Sequence, residues 1–438
     1  MANPIKHQQH ILEKLKIEQL NAMQEEAQLV ISSGSDVILI SPTGTGKTLA
    51  FLLPIIEKLD VNCSEVQVLI LVPSRELAIQ IEQVIREMGT GYKVNCLYGG
   101  RSTSKDKIDL KQPPAILIGT PGRIADHLWK ESFSIENLNI LVLDEFDKSL
   151  EVGFEEEMSE IIIGLPNIKQ RILTSATHEI QIPKFVGLEE PKVIDYSKTG
   201  TSQLDIKTVV SPSKDKFDTL LNLLHGIGNH PGIIFCNFKD SIQQVSDFLK
   251  HNDIDHGCFH GGMEQKDRER ALIKFRNGTY QIIIATDLAA RGIDIPEIKY
   301  IIHYQLPIKS QEFTHRNGRT ARMNSKGTAY VIQWEKEILP DFIKIDNLDN
   351  KELQNKAIII ASNWKTLFIS GGRKDKISKG DVAGLFFKQG NLNKNELGII
   401  ELKQDCTFVA VPSSKASQLI KSLNNSKLKK KKVRITII

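Results

Sequence analysis

Aromatic side chains are scarce in this 438-residue sequence, at 6% of the composition, and none precedes Gln24. No run of about eighteen apolar residues occurs, and the opening Met-Ala-Asn-Pro-Ile-Lys-His holds no apolar signal core, so neither a membrane span nor secretion is expected. Five cysteines (Cys63, Cys96, Cys236, Cys258, Cys406) are scattered and never spaced Cys-x-x-Cys. That argues against a disulfide framework or a zinc site and fits a reducing cytoplasm. What remains, 25% charged and 40% hydrophobic residues, is the composition of a soluble chain of about three domains.

The net charge of +4 conceals an asymmetry. From Asn363 onward there are sixteen Lys/Arg against five Asp/Glu, a balance of +11, which leaves −7 for residues 1–362. Such a basic end attracts polyanions by counterion release, although a terminal lysine run taken alone is also what a solvated tail looks like. The earlier sequence alternates apolar runs with helical stretches. Val37–Ile40, Val68–Val72, Ala115–Ile118, Ile140–Leu143 and Ile172–Thr174 read as strands covered on both faces, hence a parallel sheet with its active loops at the strands' C-terminal ends. A polar stretch, Tyr196–Ser202, reads as a linker. The pattern then restarts at Gly232–Phe235, His256–Phe259, Ile282–Ala285, Tyr300–His303 and Thr328–Ile332, without a glycine-rich loop of its own.

Three clusters carry chemistry. Ser41-Pro-Thr-Gly-Thr-Gly-Lys47-Thr48 misses the strict phosphate-loop pattern only at Ser41, where Gly is usual. Its Thr43, Gly44, Thr45 and Gly46 offer backbone N–H groups to phosphates at a helix start, Lys47 a mobile charge and Thr48 a hydroxyl for Mg²⁺. Asp144-Glu145-Phe146-Asp147 follows a strand; Asp144 suits the metal through water, and Glu145 can orient or deprotonate an attacking water. In His315-Arg316-Asn317-Gly318-Arg319-Thr320-Ala321-Arg322, three arginines at spacings of three lie on one side of an expected helix start with no acidic residue among them. That arrangement suits phosphate charge in phosphoryl transfer, a solvent-facing basic helix being the bland alternative. One sheet with a phosphate loop and another with arginines imply a cleft that closure completes.

These motifs, in this order over residues 15–335, resemble a DEAD-box RNA helicase of superfamily 2. The resemblance implies two RecA-like domains, ATP and Mg²⁺ as cofactors, and RNA as partner. Gln24 is similar to the glutamine that reads adenine, and Asp294 to a residue near the nucleotide ribose. Lys47, Asp144, Glu145, Arg319 and Arg322 match catalytic positions, the last two as arginine fingers. Asp147, Ser175, Thr177 and His315 match coupling positions. Arg75, Gly99, Gly100, Thr120, Gly122 and Arg123 match RNA-backbone loops of the first domain. In the second, Asn237 with Phe238, His260, Gly261 and Thr286 resemble RNA-binding positions, and Gln265, Arg268 and Arg291 fall in the same RNA-binding and nucleotide-sensing motifs.

Departures from the family pattern set further expectations. Phe146 stands where the family has Ala, putting a bulky ring beside the metal motif. Ile17, Asn21 and the absent upstream aromatic suggest looser adenine selectivity, and Ala321 replaces a usual Gly. Residues 364–438 read β-α-β-β-α-β, the order of RNA-recognition folds, with Phe368 and Phe408 as base-stacking candidates and core packing as the alternative. This segment resembles the C-terminal domain of DbpA-type helicases, which implies that Arg373, Lys374 and Lys376 touch a hairpin of large-subunit ribosomal RNA. The expected organisation is α/β: 1–200 and 203–340 as tandem RecA-like domains, 341–362 as linker and 363–438 as an α+β, RRM-like domain. The expected function is ATP-dependent RNA unwinding on pre-ribosomal particles by a cytoplasmic monomer. A DNA-directed motor of the same superfamily and an ATP-gated RNA clamp with little hydrolysis stay open.

Overall fold

The computed structural model describes residues 7–177, 181–197, 203–287, 298–320, 326–343, 346–347 and 361–438. They fall into two compact units, one up to residue 197 and one from residue 203.

In the first unit, β1 (Val37–Ile40), β2 (Val68–Leu71), β3 (Val94–Leu97), β4 (Ile116–Gly119), β5 (Ile140–Leu143), β6 (Gln170–Ser175) and β7 (Lys192–Asp195) form one sheet in the order β3-β4-β2-β5-β6-β1-β7. Every pairing is parallel. Successive side chains of a strand point to opposite faces, and each face has its own apolar layer. Val68 and Ile70 join the helices Ala22–Ser32, Lys47–Lys58 and Arg75–Met88, whereas Leu69 and Leu71 join Pro121–Trp129 and Glu155–Ile163. This double burial explains the unbroken apolar runs. Two strands escaped the sequence reading because they lack such a run: β3 contains the buried Asn95, and β7 buries only Ile194.

The second unit repeats the plan. β8 (Gln203–Ser211), β9 (Gly232–Phe235), β10 (His256–Phe259), β11 (Ile282–Ala285), β12 (Tyr300–His303), β13 (Lys326–Trp334) and β14 (Asp346–Asn347) run parallel in the order β10-β11-β9-β12-β13-β8-β14. Gly232 is required where it stands, since any Cβ would collide with the Tyr300 ring on the neighbouring strand.

The same unit includes a four-stranded antiparallel sheet: β15 (Trp364–Ile369), β16 (Ile400–Leu402), β17 (Thr407–Pro412) and β20 (Ile435–Ile437), in the order β16-β17-β15-β20. A lysine-rich hairpin, β18 (Lys427–Leu428) and β19 (Lys431–Lys432), precedes the last strand. The helices Lys379–Lys388 and Ser413–Leu423 cover one face, burying Leu367, Ile369, Val409 and Val411 against Val382, Phe386 and Leu419. The other face lies against the helix Gln265–Arg276 and the turn after it. Arg276 binds Glu401 bidentately (2.7 and 2.8 Å), Lys403 pairs with Glu269 at 2.6 Å, and Thr279 and Asn277 hydrogen-bond the buried Thr366 hydroxyl at 2.8 and 3.2 Å.

Candidate ATP site and nucleic-acid interface

All strands of the first sheet are parallel, so the loops after β1, β2, β3, β4, β5 and β6 share one edge. After β1 the chain turns through Gly44 (φ 85°) and Gly46 (φ 89°), the left-handed region that glycine enters without strain, into the helix Lys47–Lys58. A side chain at position 46 would collide with Gln24, whose Nε2 donates to Gly46 O at 3.2 Å. Gln24 Oε1 accepts from Asn21 N at 3.0 Å, and Asn21 Nδ2 donates to Thr45 O at 3.0 Å. The expected adenine reader thus braces the phosphate loop from behind. Ser41, the odd letter of that loop, donates its hydroxyl to Thr45 Oγ1 at 2.8 Å and ties the turn together. Thr48 opens the helix one residue beyond Lys47, and Thr43 lies in the turn.

Lys47 is buried and donates to Ser41 O and to Pro42 O (3.0 Å). Burial lowers its pKa to about 8, against the opposing pull of Asp144 and Glu145. Asp144, at the end of β5 two strands from β1, is likewise buried, and burial followed by the Glu145 charge raises its pKa to about 6. Its Oδ1 accepts from the Thr174 hydroxyl and from Glu145 N (3.1 Å). Glu145 adopts a left-handed φ of 48°, uncommon for a non-glycine residue. One turn on, the fully buried Lys148 holds Nζ 2.8 Å from Glu145 Oε1. Asp147 Oδ2 accepts from Ala176 N (3.4 Å) and Thr177 Oγ1 (3.5 Å), and Ser175 Oγ donates to Thr177 O at 2.9 Å. The coupling residues of this unit are therefore in mutual contact.

Phe146 does not sit beside the metal motif. Its ring is fully buried in the apolar layer of Leu71, Leu143 and Met158, because the helix Phe146–Val152 turns that position inward.

Of the expected RNA loops, Ser74 caps the helix Arg75–Met88, and the Arg75 guanidinium lies over Gly99 and Gly100, where a Cβ on Gly100 would come 2.8 Å from Nη1. Thr120 and Gly122 open the helix Pro121–Trp129. Arg123 from the same turn is bound to the buried Asp106 through Nη2 (2.6 Å) and Nε (2.9 Å).

In the second unit the arginine cluster lies at a helix end, not a start: the helix Ser310–Asn317 stops at Gly318. Arg316, fully buried, binds both oxygens of Asp287 (2.7 and 2.6 Å), Gln305 O (2.7 Å) and Asn237 Oδ1 (2.7 Å) over the Phe235 ring. Asn237 further donates to Leu306 O at 3.0 Å. Arg319 and His315 are buried beside this knot. Thr286 and His260 follow β11 and β10 and are partly exposed, whereas Arg268 is buried with its guanidinium 4.8 Å from the buried Phe259 ring; at Gly261 an added Cβ would meet open space. Burial and the nearby Arg268 lower the His260 pKa. Asp294, Arg291, Ala321 and Arg322 lie outside the described residues.

On the C-terminal sheet Phe408 is only 4% exposed and meets Phe368 edge-on at 5.7 Å, on the face turned toward residues 265–281. Arg373 and Lys374 form a short turn pinned to the 403–404 carbonyls (2.9 Å each), followed by Lys376. Lys431 reaches Asp375 at 2.8 Å, so the lysine hairpin and this turn share one edge of the domain. Sequence reasoning missed Asp106, Lys148 and Thr174. Only Thr174 carried a signal, as the residue preceding Ser175.

A phosphate loop facing an acidic tetrad in one parallel unit, joined to a second such unit, defines an ATP-driven motor of RecA type. Comparison with known proteins specifies it. Residues 21–185 match the DEAD/DEAH box helicase family, 215–324 the helicase conserved C-terminal domain and 366–437 the DbpA RNA binding domain. The chain is 32% identical to the ATP-dependent RNA helicase DbpA of Bacillus subtilis (91% of each chain) and 31% identical to that of Escherichia coli (96% of this chain, 94% of the relative). Among solved structures, S. cerevisiae Dbp5 bound to RNA and ADP BeF3 superposes with a TM-score of 0.69 at 25% identity, covering 79% of this chain and 95% of that one. Mss116p bound to single-stranded RNA and AMP-PNP gives 0.68 at 26%, over 80% and 79%. The chain belongs to the DEAD-box ATP-dependent RNA helicases of the DbpA type, enzymes whose ATPase is stimulated by RNA. No helix among the described residues is long and apolar enough to cross a membrane.

Proposed function

We propose that this helicase opens short RNA duplexes during assembly of the large ribosomal subunit, its C-terminal domain gripping a folded ribosomal RNA hairpin while the core works on nearby strands. The observation that carries this reading is the basic edge of the C-terminal domain, where Arg373, Lys374 and Lys376 stand next to the Lys427–Lys432 hairpin. Its sheet face is turned inward, so the basic edge is the surface left for a polyanion. A monomer in the cytoplasm suits this role.

In this reading Thr43 to Thr48 hold the phosphates of ATP, and Gln24 and Asp294 the nucleoside. Mg²⁺ would be held by Thr48 and, through water, Asp144, whose buried carboxylate lacks solvent to balance its charge. When bound, the ion neutralises phosphate oxygens. Glu145, steadied by Lys148, orients the attacking water and takes its proton, and Arg319 and Arg322 stabilise charge on the transferring group. Asp147, Ser175, Thr177 and His315 couple this event to RNA. Arg75, Gly99, Gly100, Thr120, Gly122, Asn237, His260, Gly261 and Thr286 frame the RNA backbone, a sequence-indifferent contact. The burial of Phe146 in the apolar layer weakens one of the two grounds for a clamp with little hydrolysis, the other being the altered adenine motif at Ile17 and Asn21. Lys47→Ala and Glu145→Gln should each lower ATP turnover about 10²-fold or more; normal turnover in both refutes the site.

A further inference from the structure

Two of the loops expected at RNA in the first unit, Gly99–Gly100 and Thr120–Arg123, hang from one carboxylate that no motif includes. Asp106, in the helix Thr103–Leu110, is 0% exposed. Its Oδ2 accepts Arg123 Nη2 (2.6 Å) and Nε (2.9 Å) and lies 3.2 Å from His127 Nε2; its Oδ1 faces Arg101 Nε at 3.2 Å. Arg101 follows directly on Gly100 and is itself fixed, donating to Cys96 O at 2.7 Å and pairing with Asp109. Arg123 Nη2 also reaches Thr103 Oγ1 (3.3 Å) and Arg101 O (3.4 Å). The first loop, through the Arg101 ion pair, and the helix that begins the second, through the two Arg123 hydrogen bonds, are therefore joined through a single side chain.

A buried ion network of this kind adds little net stability over apolar packing, since desolvation offsets most of the attraction. What two guanidinium N–H donors converging on one carboxylate oxygen do supply is fixed geometry, since charge-assisted hydrogen bonds are short and directional. We infer that Asp106 is a positioning residue for RNA: it sets the spacing and orientation of the two loops, and Arg123 serves as a strut on Asp106, not as a free phosphate ligand. This rests on the reading that these loops meet RNA. A phosphate backbone has a fixed repeat, so loops allowed to drift lose simultaneous contact with successive phosphates, and affinity for RNA falls while the chemistry at the ATP site persists.

The test is ATP turnover by the full chain, titrated with a single-stranded poly(U) RNA. For Asp106→Asn the half-saturating RNA concentration should rise about tenfold with kcat at saturating RNA within about twofold, and Asp106→Glu, which keeps the charge, should recover part of the loss. An unchanged half-saturation, or a fall in kcat at unchanged half-saturation, overturns the inference. If Asp106→Asn does not fold, Asp106→Glu carries the same test, a raised half-saturation supporting the inference and an unchanged one overturning it. Absence of any stimulation of the unaltered protein by RNA would instead overturn the reading that the loops bind RNA.

Discussion

The two α/β units bury ions of opposite sign at corresponding depth. In the first, a carboxylate, Asp106, gathers Arg101, Arg123 and His127; in the second, a guanidinium, Arg316, gathers Asp287, Gln305 and Asn237. The second knot draws on residues from more than one sequence motif and the first on one, Arg123, and in each a side chain expected to reach out to RNA (Arg123, Asn237) is bound internally. The difference lies in satisfaction. Arg316 has charge and hydrogen-bond partners on both edges of its plane, whereas Asp106 is a single anion shared among competing cations. The second knot should therefore bear more of the fold, and the first more of the geometry of binding.

The comparison breaks most visibly at Arg316. Arg316→Met removes the guanidinium from the Asp287 carboxylate and from Asn237 Oδ1 and should cost about 3–5 kcal/mol, read as a lowered urea midpoint. A variant as stable as the unaltered chain would make the knot dispensable. Asp106→Asn should cost less stability and act chiefly on RNA half-saturation. The next effect is at the C-terminal contact: Arg276→Glu should loosen that domain, with partial recovery in the double variant carrying Glu401→Arg, measured by amide exchange at Thr366. Equal protection in all three would show that the ion pair holds nothing. Smallest is an acid effect at His303, where burial and then the Arg316 charge lower the pKa from 6.5 to about 3. Below about pH 6.5 the unfolded imidazole binds a proton that the folded one refuses until about pH 3. The stability from this group is thus present above pH 6.5 and is lost as pH falls through that window. His303→Gln should flatten the fall in melting temperature between pH 7 and pH 5 relative to the unaltered protein.

Much of the fold was legible because burial on both sheet faces writes unbroken apolar runs such as Ile140–Leu143, and because Gly44 and Gly46 stand where a left-handed turn demands glycine. Less legible were elements whose identity depends on neighbours distant in sequence. β7 shows one buried residue in four. Gln24 meets Gly46 across 22 residues, and Thr366 meets Asn277 across 89, so neither contact leaves a local pattern. Phe146 was misplaced because a motif names a position but not the direction in which the following helix turns it. Asp106 escaped because its role comes from the cations around it, which only the folded loops assemble.

The most direct measurement is the stimulation of ATP turnover in the intact chain by fragments of large-subunit ribosomal RNA and by random RNA of equal length. The account predicts half-saturation by one hairpin-containing fragment at a concentration at least about tenfold lower, an advantage erased when Arg373, Lys374 and Lys376 are replaced by glutamine. Equal half-saturation by ribosomal and random RNA would contradict it.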